Sequence, residues 1–247
     1  MRSNMKLKTK KPFMVMAILA LLPLTLQAKI IKREHGDFTT WTECSDKTNV
    51  MFTYLLDSDH GHTKRTDDFR VDVKLPFHCQ QTSSEPYRTS KSNGQYHRGH
   101  LKSANSGDES VKSMSSTFVM SNIVPQHSIS NTQAWNQTEI TEECYRDISP
   151  ITVVGGAIYN NESNDFFIDS HGVKTPESMW KVIVQNDHVI AWNIPNDSTA
   201  TKSKLSSYIV TVNELEKLTG ITIPVPERLK SLKPLKTWPM TRNCNRG

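Results

Sequence analysis

Runs of β-branched and aromatic residues mark the strands of this chain. Val50 to Leu56 (VMFTYLL) predicts one, and Ile151 to Val154, Met179 to Val184, Val189 to Trp192 and Ile209 to Val212 predict four more. A tight turn at Asn186-Asp187 joins the third of these five to the fourth. From Ser130 the period lengthens. Asn131, Ala134, Trp135 and Thr138 recur at three- and four-residue spacing, which predicts a helix capped by Ser130 and running towards Tyr145. A second helix is predicted with Asn213 as its cap, Glu216 completing a capping box and Gly220 as its stop. Between these elements, residues 57–68 and 80–96 are polar and irregular, and Phe118 to Met120 is a short apolar run ending at Ser121-Asn122. Strands and helices mix without βαβ regularity. The expected class is therefore α+β, a mainly antiparallel central sheet flanked by helices.

The N-terminal segment follows a different pattern. Arg2, Lys6, Lys8, Lys10 and Lys11 precede an apolar stretch from Phe13 to Leu26, and Gln27-Ala28 ends it on a small residue. This is the layout of a secretory signal peptide, expected over 1–28 with cleavage after Ala28 and a single domain over 29–247. The stretch is shorter than the roughly twenty residues of a membrane span. Removing it changes the charge: the chain carries 30 Lys+Arg against 25 Asp+Glu, and the segment contains five of the cations and no anion, leaving 25 against 25. Net charge thus says nothing about a polyanionic partner, and any phosphate-binding patch must be local. Cys44, Cys79, Cys144 and Cys244 are even in number and widely spaced, which in an exported, secreted or periplasmic protein predicts two disulfides in one of three connectivities.

Several chemistries lose support at once. The chain has no G-x-S-x-G elbow, Walker loop, H-E-x-x-H or G-x-G-x-x-G. His60-Gly61-His62 with His97 and His100 has no familiar zinc spacing. What remains is His97-Arg98-Gly99-His100, which combines a guanidinium fork matched to phosphate oxygens with a base near neutral pH. Alone, so short a run is equally a surface turn.

The longer pattern decides between them. His100-Leu101-Lys102-Ser103-Ala104-Asn105, then Ser121-Asn122-Ile123-Val124-Pro125-Gln126, then Asn131, Ala134-Trp135 and Glu139 closely resembles the DNA/RNA non-specific endonuclease family, whose members carry a ββα-metal active site. The likeness continues through Gly155-Gly156-Ala157-Ile158-Tyr159, Trp180-Lys181-Val182-Ile183 and the stretch from Thr211 to Gly220. It implies that His100 is the general base and Asn131 the protein ligand of one Mg2+, with Mn2+ as a substitute. It further implies that Asn122 orients the metal site, that Glu139 holds the metal's waters and that Arg98 lies beside the scissile phosphate. Arg65 is the best candidate for the arginine that stabilises the transition state, with Arg70 second. The implied substrates are DNA and RNA, cleaved to 5′-phosphate ends. A substrate-restricted phosphodiesterase on the same scaffold and an inactive nucleic-acid-binding relative are the competing readings.

On a regular helix Asn131 and Glu139, eight residues apart, would differ by about 80° and about 12 Å along the axis. Glu139 is therefore expected to act through water or an arginine. Trp135, on the apolar stripe, is expected in the core. Three positions depart from the family pattern: His97 stands where an acidic residue is usual, Asn105 where proline is usual, and Glu143 where some relatives have arginine, with Arg146 as a possible replacement.

Overall fold

The computed structural model describes residues 29–92, 94–241 and 244, so the predicted signal peptide lies outside it. Among these residues the strands are β1 (Ile30–Glu34), β2 (Phe38–Glu43), β3 (Thr48–Leu56), β4 (Tyr96–His100), β5 (Ile123–His127), β6 (Ile151–Ile158), β7 (Ser178–Gln185), β8 (His188–Pro195) and β9 (Ile209–Val210). Helices are α1 (Val111–Ser116), α2 (Ser128–Ser130), α3 (Asn136–Arg146), α4 (Ile168–His171) and α5 (Val212–Thr219). Seven strands form one antiparallel sheet in the order β1-β2-β3-β6-β7-β8-β9, while β4 and β5 pair separately. The fold is α+β, as the pattern predicted. No helix among the described residues is long and apolar enough to cross a membrane.

The strands predicted from β-branched runs form, the last of them only over Ile209–Val210 because Thr211 and Val212 cap and begin α5. β7 turns into β8 at Asn186, whose φ of 52° is the left-handed conformation such a turn needs. Four strands, β1, β2, β4 and β5, come from stretches the pattern leaves unassigned. The second helix begins earlier than predicted. The Thr211 hydroxyl accepts from Glu214 N–H at 3.0 Å and Glu214 accepts from Thr211 N–H at 2.6 Å, so Thr211 rather than Asn213 is the cap. Two capping boxes overlap in this sequence. Burial of Val212 and Leu215 against the sheet selects the first, and Glu216 instead accepts from Ile223 N–H and Lys230. Gly220 ends the helix at φ 69°, as expected.

Alternation along the strands builds a core on each face of the sheet. Met179 and Ile183 of β7 pack with Phe52, Trp135 and Trp192, while Trp180 and Val182 face α5 through Val212 and Leu215. Two disulfides, Cys44–Cys79 and Cys144–Cys244, resolve the open connectivity. The second ties the end of α3 to the C-terminal segment.

One residue breaks the apolar alternation. Lys181 shares the face of Met179 and Ile183, is fully buried, and pairs with the equally buried Glu142 of α3 at 2.5 Å. Tyr54 of β3 donates to the same carboxylate at 2.6 Å, and the Lys181 ammonium lies 4.2 Å from the centre of the Trp135 ring. Deleting one partner of such a pair strands the other charge in the interior. Lys181→Met should therefore destabilise the protein by about 3–5 kcal/mol. Adding Glu142→Leu should recover much of that loss, as read from urea unfolding midpoints.

Candidate active site

The His97–His100 run is not a surface turn but strand β4, antiparallel to β5 with Arg98 opposite Pro125 and His100 opposite Ile123. Arg98 and His100, two residues apart on the strand, share a face and line one cavity. Between them Gly99 is obligatory: a Cβ there would lie 2.1 Å from the Oε1 of Gln126, which is wholly buried behind it. The chain then passes through β5 into a helical stretch, so two strands and a helix carry the candidate residues.

Three buried side chains hold His100 in place. Trp135 Nε1 donates to the His100 carbonyl at 3.0 Å, giving this core residue a second task. Asn122 is fully buried and lies outside the cavity. Its Oδ1 accepts from Lys102 N–H at 3.0 Å, and its Nδ2 donates to the carbonyls of Lys102 and Thr117. It therefore fixes the strand end that follows the base rather than touching a metal locus. Phe118 stands edge-on to the imidazole, 5.0 Å between centres, with Phe69 tilted beside it.

The imidazole is buried, and its Nε2 has no partner. Burial, then the charges of Arg65 and Arg98, lower its pKa to about 3. His100 is thus a neutral acceptor at any ordinary pH. Arg98 stacks over Phe69 at 3.7 Å and donates to the Ser84 carbonyl at 2.8 Å. Arg65 lies 4.9 Å over Phe118 and also lines the cavity, whereas Arg70 faces a different cleft. Arg65, not Arg70, is the arginine placed with His100. Each of these guanidiniums is held against an aromatic face, which restrains a flexible side chain, and each also spends a donor on a neighbour, Arg98 on Ser84 and Arg65 on the Asp67 carboxylate at 2.7 Å.

The opposite wall of this cavity of about 480 Å³ is helical and includes Asn131, Asn136 and Glu139. The helix is not regular. Ser128–Ser130 starts it under a cap from the His127 side chain, Asn131–Trp135 is a π turn, and α3 follows. Wider π hydrogen bonding takes up one extra residue, about 100° of winding. The predicted offset of about 80° between Asn131 and Glu139 shrinks to about 20°, and both side chains reach the same cavity.

Oxygen ligands for a hard cation are present on this wall. Asn131 Nδ2 lies 3.1 Å from His97 Nδ1, which leaves the amide oxygen to serve as ligand. Burial raises the Glu139 carboxyl to about 8, opposed by Lys181 and Arg65 and reinforced by Glu142 and Glu143. An amide oxygen and carboxylates suit Mg2+ or Mn2+ better than a thiophilic ion. His60 and His62 do not converge with His97 and His100 on a common point among the described residues, so no zinc set forms.

A family model described as DNA/RNA non-specific endonuclease matches residues 22–226. The chain belongs to this family. It is 30% identical over 174 residues to a nuclease of Nostoc sp., covering 65% of this chain and 60% of that one. It is 28% identical over 195 residues to the mitochondrial nuclease EXOG of Xenopus laevis, covering 72% and 52%. The match to the Serratia marcescens nuclease is 31% over 121 residues, 46% of this chain and 45% of that protein. The chain thus spans about half to three-fifths of these relatives' lengths. The crystal structure of an EndoG/EndoGI complex shares the fold, with a TM-score of 0.62 at 22% identity over 78% of this chain and 84% of that one.

Within the endonuclease-family pattern, the three departures now have structural partners. Asn105 and Glu143, in place of proline and arginine, compensate each other: Asn105 Nδ2 donates to Glu143 Oε1 at 2.8 Å across the cavity wall. Arg146 does not replace the missing arginine, because it is buried and paired with Asp59 at 2.6 Å. His97 neighbours Asn131 rather than acting on His100, whose depressed pKa is due to burial and the two arginines. Sequence reasoning missed the lysine behind this wall, Lys181, and the π turn. The π turn has no signal in spacing, and Lys181 shows only as a charge within an apolar run, with nothing to indicate its partner Glu142.

Two outcomes follow from these electrostatics. In the metal-free protein the His100 ring should keep neutral chemical shifts from pH 8 down to pH 5, since its pKa near 3 lies well below that window. A histidine titrating near 6.5 at this position would contradict the burial argument. Divalent-cation binding at pH 7 should release close to one proton from Glu139. Its affinity should rise as pH increases towards 8 and level off above, because only the ionised carboxylate favours the cation. Calorimetry in two buffers of different ionisation heat reads this directly, and Glu139→Gln should abolish the pH dependence.

Proposed function

We propose that this chain is an exported, Mg2+-dependent endonuclease that hydrolyses DNA and RNA with little sequence preference and leaves 5′-phosphate ends. The observation that carries the reading is one cavity holding an unpartnered neutral imidazole, two restrained guanidiniums and an oxygen-ligand wall. His100 Nε2 takes a proton from the attacking water as the water oxygen bonds to phosphorus. Arg65 and Arg98 bind the non-bridging oxygens as their charge grows, and the bond from phosphorus to the 3′ oxygen breaks. When bound, Mg2+ would supply Lewis-acid polarisation at the phosphate and the leaving oxygen. Asn131 and Glu139 would hold that ion and its waters, with His97 orienting the Asn131 amide. The cavity's charged groups suit phosphate oxygens, which carry no sequence information.

Loops 57–68 and 80–96 border the site, through Arg65 and through the Ser84 carbonyl that receives Arg98. A restricted phosphodiesterase is the reading to exclude. The signal-peptide pattern together with two disulfides supports export to an oxidising compartment.

Plasmid, single-stranded DNA and RNA should all be degraded, EDTA should stop each reaction, and product ends should accept polynucleotide ligation without prior phosphorylation. His100→Ala should lower the rate by about 10²- to 10⁴-fold while cation affinity stays near native. Cleavage of only one polymer would support the restricted reading, and no cleavage in Mg2+ or Mn2+ would support the inactive one.

A further inference from the structure

Without its predicted leader the chain has no net charge to attract a polyanion, yet its cations are not evenly spread. A second cleft of about 480 Å³ lies beside α1, and its walls hold Arg33, Arg70 (paired with the neighbouring Asp68), Lys74, Lys112 and the carboxylate of Asp72. That carboxylate is already committed to Arg33, at 3.0 Å. Lys74 and Lys112 are exposed and enter no salt bridge among the described residues. Val71, Val73 and Val119 line the same cleft, together with Ser115 and Ser116 of α1.

This cleft adjoins the His100 cavity through a shared wall. Phe118 stands against the His100 ring, and the next residue, Val119, bridges Arg70 and lines the second cleft. Arg65 lines the first cavity and Arg70 the second, so the segment between them runs from one to the other. Five residues span at most about 17 Å, the length of about five steps of a stacked strand at about 3.4 Å each. Ser115 of α1 donates to Asp68 at 2.6 Å, and Asp68 also holds Arg70, which pins this segment in place.

We propose that the Arg33–Lys112 cleft is an extended subsite that binds the substrate's phosphodiester backbone several nucleotides from the scissile bond. The inference rests on the nuclease reading and deepens it. A polymer is held at two points, phosphates against Lys74 and Lys112 and sugar faces over the valines, while a dinucleotide reaches only the His100 cavity. The subsite therefore favours long strands without reading their sequence.

The test uses Lys74→Gln/Lys112→Gln, two exposed positions outside the catalytic cavity. In a His100→Ala background, binding of a thirty-nucleotide single strand is followed against salt. The double variant should bind more weakly, with the log–log salt slope reduced by about 1.4, or about 0.7 for each single-strand phosphate that is no longer neutralised. In the otherwise native protein, KM for long DNA should rise while kcat on a dinucleoside phosphate stays unchanged. An unchanged salt slope, or an equal loss on long and dinucleoside substrates, overturns the subsite and leaves the nuclease reading standing. Failure of the native protein to bind or cleave any nucleic acid overturns both.

Discussion

The Lys181 ammonium sits in the middle of β7 on the face it shares with Met179 and Ile183, under the helix α3. Burying such a charge is costly unless it is paired, and Glu142, Tyr54 and the face of Trp135 surround it. That requirement fixes the rotation and height of α3 on the sheet more tightly than apolar packing would, since leucine contacts tolerate small slides and an ion pair does not. The consequence reaches the cavity. Glu139 lies on the same helix, three residues before Glu142, and feels both that carboxylate and Lys181. Trp135, one turn earlier, is pinned from below by the ammonium and reaches up to the His100 carbonyl. One buried pair thus sets the positions of the acid wall and the base.

The two walls are tuned in opposite directions by the same physical cause. Burial disfavours charge on both His100 and Glu139, leaving the imidazole unprotonated and the carboxyl protonated. The two guanidiniums reinforce the first effect, and the neighbouring carboxylates reinforce the second. A cavity prepared this way holds a neutral base facing a neutral acid. On the proposed reading it would become polarised when an anionic phosphate settles against the arginines and a cation against Asn131 and Glu139, so that charge arriving with the substrate and the ion would do the electrostatic work.

Much of this is legible in the residues. Strands built from β-branched runs are visible because packing and propensity agree there, and His100, Arg98, Asn131 and Glu139 stand out by motif and share one cavity. Elements whose causes are tertiary are not visible. β1 and β2 are short, and β4 reads as a turn because a glycine between two basic residues suggests flexibility, when it is required by the Gln126 side chain behind it. The π turn leaves no trace in periodicity, since Asn131, Ala134, Trp135 and Thr138 fit an ordinary helix. That is why regular winding sets Asn131 and Glu139 on diverging faces. The motif has Asn122 orienting the metal site, and its hydrogen bonds place it behind His100, at the end of that strand.

The departures from the family pattern show how far pairwise substitution can rework such a site without dismantling it. Exchanging an arginine for Glu143 places a carboxylate on the cavity wall, which on the proposed reading lowers its attraction for phosphate. The Asn105 amide occupies one oxygen of that carboxylate, and Arg146 is drawn away to Asp59, where it anchors the start of the loop that carries Arg65. On the proposed reading the positive charge facing a substrate comes from strand β4 and the 57–68 loop instead of from the helix. Such a site has His100 and Asn131 on a strand and a helical turn, and divides its arginines between that strand and a loop. Substrate preference can then change there while the positions of His100 and Asn131 stay the same.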